Sequence, residues 1–288
     1  MSECTLAALY RGDKMKFARF AILTICGFAV FALTMTFAPL LPAWANYAAR
    51  GGLLLLFGAL WLVARGEGPL GAYRPVFFAY FAATAALSLG YYLSDYGLAL
   101  VHLSDSTPAG VAVAKASQAV LVVIGILLLA LLSGQDLGSL YLRKGRLLLG
   151  LSIGLVAGAG CVFLAMKQPA MAGIAPARLV SLAPWIAVFV VTNAFMEELL
   201  FRGLFLGRYE PLMGKGLAIV TTALAFTLAH MQVTYAPEMG VFLAVTFVLA
   251  LLWGWLMQSS RSIWGSVLFH AGADVMIILP IFKSMGAI

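Results

Sequence analysis

Glu197 and Glu198 stand side by side, and Arg202 follows Glu198 by one helical turn, in the run Phe195, Met196, Glu197, Glu198, Leu199, Leu200, Phe201, Arg202, Gly203. Further along, His230 follows Phe226 by four residues and Asp274 follows His270 by four. The surroundings of all three patterns are apolar. A charged side chain at the centre of a membrane helix costs roughly 2.5–3.5 kcal/mol on insertion scales, so ionisable groups collected there point to a buried site.

Residues four apart share a helix face, which sets Glu198 over Arg202, Phe226 over His230 and His270 over Asp274. Glu198 and Arg202 then read as a buried ion pair that neutralises itself. Glu197 lies about 100 degrees around the helix from Glu198 and about 140 degrees from Arg202, so one arginine does not serve both carboxylates. Glu197 is left for chemistry. A carboxyl in an apolar pocket beside a second carboxylate and near histidines suits general acid–base catalysis, with water as the natural reactant. Bland readings stand beside these: a single intramembrane histidine is more often a helix–helix hydrogen-bonding residue, and an i, i+4 ion pair can be purely structural.

The elements that must carry these residues are membrane helices. Of 288 residues 63% are hydrophobic and only 10% charged, and the mean hydropathy is +1.02, which places the chain among integral membrane proteins and excludes a sizeable soluble domain. Apolar windows fall near 17–38, 44–64, 75–101, 110–132, 147–166, 180–206, 217–234, 239–257 and 262–282. The expected fold is all-α, a polytopic membrane helix bundle of about eight or nine transmembrane helices. The long third window, with Asp95 and His102, and the short seventh one decide between those counts. Residues 1–16 form a polar cytoplasmic N-terminus, 17–179 the N-terminal membrane helices and 180–282 the helices that carry the three patterns, in one continuous membrane domain. The first window is too long for a signal-peptide core and reads as a retained anchor.

The net charge of +7 is spread over short loops without a basic run, so it describes topology and not a nucleic-acid surface. Lysines and arginines divide twelve to five between alternate loops, Lys115 being counted with the smaller set and Arg202 set aside. The positive-inside rule then puts the N-terminus in the cytoplasm and the C-terminus outside. Cys4, Cys26 and Cys161 are far apart and read as packing residues. From the nearest charge on that side, about 1.5 Å of rise per residue puts Glu198 roughly 15 Å deep, His270 roughly 13 Å and His230 at most about 22 Å. The three patterns can therefore lie at one depth.

In this order the patterns resemble the motifs of the CAAX protease and bacteriocin-processing family, also called the Abi family, whose members are intramembrane, glutamate-type endopeptidases including the type II CAAX prenyl endopeptidases. Glu197, Glu198 and Arg202 resemble its EExxxR motif, Phe226 and His230 its FxxxH motif, and His270 and Asp274 its HxxxN/D motif. The resemblance covers roughly residues 180–280. It implies that Glu197 activates a water for attack on a peptide carbonyl, that His230 helps to hold that water, that His270 and Asp274 face the developing oxyanion, and that Glu198 and Arg202 are a supporting pair. Asp274 replaces the asparagine of many relatives. An ionised carboxylate cannot donate a hydrogen bond to an oxyanion, so a role in fixing the tautomer of His270 is the preferred reading.

No cofactor is expected, although Glu197, His230 and His270 are ligand types that zinc prefers and would be the set if Zn²⁺ were used; HExxH spacing is absent. The expected partners are a peptide or membrane-protein substrate and the lipid bilayer, with no nucleic acid, in what reads as a bacterial inner membrane. Two other classes compete. Intramembrane Glu, His and Asp also build proton-coupled transporters, for which inverted repeats are the missing sign, and a non-catalytic immunity or scaffold protein could share the fold.

Overall fold

The computed structural model describes residues 3–35, 41–65, 68, 70–168, 171–233 and 238–288. Regular structure among them is helical throughout: α1 Glu3–Thr34, α2 Ala43–Val63, α3 Arg74–Leu93, α4 Asp95–Val101, α5 Pro108–Leu132, α6 Leu147–Met166, α7 Pro176–Glu197, α8 Leu206–Met213, α9 Lys215–Ala229, α10 Met239–Ser260 and α11 Trp264–Ser284. Among the described residues eight stretches are long and apolar enough to cross a membrane, namely Lys14–Thr34, Ala43–Val63, Gly71–Val101, Pro108–Leu132, Leu147–Met166, Pro176–Met213, Met239–Ser260 and Trp264–Ser284. The chain is an all-α, polytopic integral membrane protein. Leu132 and Leu148, 84% and 82% exposed, are the kind of side chain that hydrocarbon, and not water, accommodates.

Departures from the expected windows have local causes. The third window breaks at Ser94, between α3 and α4. The sixth runs on to Met213. The seventh yields only the 15 residues of α9 before a 3-10 turn over His230–Gln232, and at about 1.5 Å per residue that spans roughly 22 Å, short of a full crossing. The ends of the expected windows at 36–38 and 234 lie outside the described residues. Arg50 and Lys115 belong to α2 and α5 and are not loop charges.

The chain divides into two compact units. The first, Met1–Thr84 with Leu204–Gly254, packs α1 against α9 and α8. Its interior is aromatic, with Phe31 edge-on to Phe205 at 5.8 Å and the Tyr80 and Tyr209 hydroxyls 2.7 Å apart.

The second unit, Ala85–Gly203 with Trp255–Ile288, is built on the pairing of α6 with α11. Gly150, Gly154 and Gly158 recur every fourth residue on α6 and meet Gly265 and Gly272 of α11. A Cβ at Gly154 would run into the Gly265 carbonyl, and one at Gly158 would lie 2.7 Å from the Leu268 carbonyl oxygen. Without a hydrophobic driving force between helices in lipid, such close backbone approach is what holds two of them together. A latch fixes the register: Ile263 N–H donates to the Tyr141 carbonyl at 3.1 Å and Arg146 N–H to the Ser260 carbonyl at 2.6 Å, while Ser262 Oγ donates to the Arg143 carbonyl at 2.8 Å. The helix α7 packs on both α5 and α11.

Candidate active site

Two helices of the second unit carry the site. On α7, Phe189, Asn193 and Glu197 follow one another at four-residue intervals and so share one face. At Glu198 the α-helix gives way to a π-helical turn over Glu198–Gly203. Such turns insert a residue into the helical repeat and often mark functional sites, and the even 100-degree spacing assumed from the sequence stops there. Glu198, Leu199, Leu200 and Arg202 are all fully buried.

Arg202 nevertheless reaches back to Glu198, with Nη1 2.9 Å from Oε1. The same carboxylate oxygen lies 2.9 Å from His270 Nδ1. The other ring nitrogen, Nε2, is 3.5 Å from Glu197 Oε2 and 3.5 Å from Asp274 Oδ1. One imidazole on α11 thus faces three carboxyl groups. Asp274 is held from its far side, where Asn193 Nδ2 donates to Oδ2 at 2.9 Å. Glu197 and His270 are each 2% exposed and Asp274 is 7% exposed.

The structure therefore brings together Glu197, Glu198, Arg202, His270 and Asp274. Phe226 and His230 belong to the first unit, where His230 ends α9, its Nδ1 lies 2.8 Å from the Phe226 carbonyl oxygen and its ring lies 4.3 Å from the Phe226 ring. The carboxylate on His270 Nδ1 is Glu198; Asp274 is on the opposite nitrogen. Glu198 is acceptor-only when paired with arginine, so Nδ1–H donates to it. A proton carried on Nε2 would have a carboxyl on either side, Glu197 and Asp274, each at 3.5 Å.

Asn193 was not among the residues singled out from the sequence. It had a legible signal, a buried amide one turn before Glu197 on the same face of an apolar helix.

Residues 179–276 match the family model of the type II CAAX prenyl endopeptidases, Rce1-like. The matched stretch, about a third of the chain, includes Glu197, Glu198, Arg202, Phe226, His230, His270 and Asp274. No curated protein and no solved structure matches the chain. Among the described residues no group of three or more His, Cys, Asp or Glu side chains is arranged to hold a metal ion. The zinc set named from the sequence, Glu197, His230 and His270, draws on both units.

Proposed function

We propose that this protein is an intramembrane endopeptidase, similar to the CAAX proteases, that hydrolyses a peptide bond within or beside the bilayer with a water activated by Glu197. The observation that carries this reading is the unequal engagement of the two glutamates. Glu198 Oε1 is committed to both Arg202 and His270 Nδ1. Glu197 faces only the looser side of the imidazole, at 3.5 Å, which leaves its carboxylate room to take a proton. The match of residues 179–276 to an endopeptidase family supports the same reaction class.

In the proposed reaction the Glu197 carboxylate removes a proton from water as the water oxygen bonds to the carbonyl carbon, and the carbonyl electron pair moves onto its oxygen. His270 Nε2–H is the donor for that oxyanion, with Nδ1–H anchored on Glu198 and Arg202 behind it. Collapse restores the carbonyl and breaks the C–N bond as Glu197 passes its proton to the departing nitrogen. Asp274, steadied by Asn193, orients the Nε2 side of the ring. His230 is assigned its water-holding role on its motif alone. This scheme needs no cofactor, because base and donor are both side chains.

The proposed setting is a bacterial cytoplasmic membrane with the N-terminus on the cytoplasmic side, on the asymmetry of loop lysines and arginines. Cleavage of a peptide mixture by the purified protein in ¹⁸O-labelled water tests the reaction class. A single solvent oxygen in each new carboxyl group is expected. Absence of new carboxyl ends, together with proton movement across vesicles containing the protein, would make it a transporter instead.

A further inference from the structure

Glu197 and Asp274 both face Nε2 of one imidazole, at 3.5 Å, while Glu198 is bonded to Arg202 and to Nδ1 at 2.9 Å. A second cation near Glu197 and Asp274 would balance the site, and α5 supplies a half-buried one in Lys115. Lys115 lies seven residues inside α5 from Pro108, on a helix that packs along α7. A lysine there is costly unless paired, or unless it snorkels back to the near end of its helix.

The Lys115 Nζ donates to Gln118 Oε1, one turn on along the same helix, at 3.1 Å. The ammonium lies 5.9 Å from the centre of the Phe189 ring. Phe189 begins the face of α7 that continues through Asn193 to Glu197, and Asn193 carries Asp274. Lys115 interacts electrostatically with both Glu197 and Asp274. The glutamine and the aromatic face fix where the charge sits, and the two carboxylates are what it answers.

We propose that Lys115 is a positioning residue of the hydrolytic site, the counter-cation that holds Glu197 and Asp274 in register around His270. The proposal rests on the proteolytic reading for its kinetic consequence only. It assigns the lysine no contact with the reacting atoms.

The test compares Lys115→Met and Lys115→Arg in the full chain, by kinetics and by thermal melting. Displacing a catalytic carboxylate without removing it costs about ten- to a hundredfold in kcat, so Lys115→Met should lose that much with KM little changed, and Lys115→Arg should recover most of the loss. An unchanged kcat overturns the proposal. So does a loss confined to KM, which would make the lysine a substrate ligand, or a folded Lys115→Arg no more active than Lys115→Met. The melting experiment is independent of turnover. Lys115→Met should lower the midpoint more in the wild-type background than in Glu197→Gln with Asp274→Asn, where the charges it answers are gone; equal lowering in both backgrounds refutes the coupling. If Lys115→Met fails to fold alone but folds in that double-variant background, the same coupling is shown in stronger form. Should the wild type cleave no peptide, the proteolytic reading falls, and the melting comparison still decides the role of Lys115.

Discussion

Both units bury arginine, but they satisfy it in different ways. In the first unit Arg50, 1% exposed, donates from Nε to Asn46 Oδ1 at 2.8 Å and from Nη2 to the Thr34 carbonyl at 2.7 Å, and Arg208 Nη1 donates to the Leu204 carbonyl. These three acceptors are neutral. In the second unit Arg202 meets Glu198, and the buried carboxylates among the described residues, Glu197, Glu198 and Asp274, all belong to that unit. A cation bound by carbonyls and an amide is finished as structure. Carboxylates crowded around one imidazole leave a proton with more than one place to go, and that is the condition chemistry requires.

The sharpest break of the comparison is Arg202→Ala. Removing one partner of a buried ion pair costs about 3–5 kcal/mol, so little folded protein should be recovered and what remains should melt early. A variant that inserts and melts like wild type but turns nothing over would make the arginine a ligand of the transition state.

Next is a change that touches no polar side chain. In Gly154→Ala the new methyl group meets the Gly265 carbonyl, and overpacking of this kind costs about 1–3 kcal/mol. Because α11 carries His270 and Asp274, activity per folded molecule should fall with stability. Melting and turnover measured on the same sample check this, and intact turnover would mean that α11 tolerates the shift.

Arg50→Met should separate the two quantities. Stability should drop by about 1–3 kcal/mol, as the Thr34 carbonyl and the Asn46 amide oxygen lose their donor, while activity per folded molecule stays at the wild-type level. A catalytic loss without a stability loss would erase the distinction between the units.

The smallest effect is expected for Asp274→Asn. The amide retains an oxygen for Asn193 Nδ2 but loses the charge that steadies His270, so turnover should fall by less than about tenfold at unchanged melting temperature. A gain in turnover would show that the new amide donates to the oxyanion and that Asp274 belongs to that side of the site.

Charge made much of the site legible in the sequence. Glu197, Glu198, Arg202, His270 and Asp274 stand out because each is expensive in an apolar helix, and the four-residue spacings predict the Glu198–Arg202 pair that is found. Asn193 carries no charge and so raised no alarm. Lys115 reads as topology from the sequence, because it falls near the end of an apolar window and counts with the loop charges. The π-turn at Glu198–Gly203 has no periodicity signal of its own, since it shifts the repeat within apolar residues that are buried all round. Which carboxylate takes His270 Nδ1 depends on the rotation of α11 against α7, and that is set at a distance by Gly150, Gly154 and Gly158 and by the latch at Tyr141–Arg146. The glycine spacing was there to be read. Its partner helix was not.

The central claim is that Glu197 is the base. The direct measurement is kcat/KM for Glu197→Gln beside wild type on one peptide, with thermal melting of both. General-base catalysis contributes about 10²–10⁴-fold, so the amide, which keeps the shape but takes no proton from water, should lower kcat/KM by at least about a hundredfold while the melting temperature holds. Activity above about a hundredth of wild type in a folded Glu197→Gln protein would contradict the account.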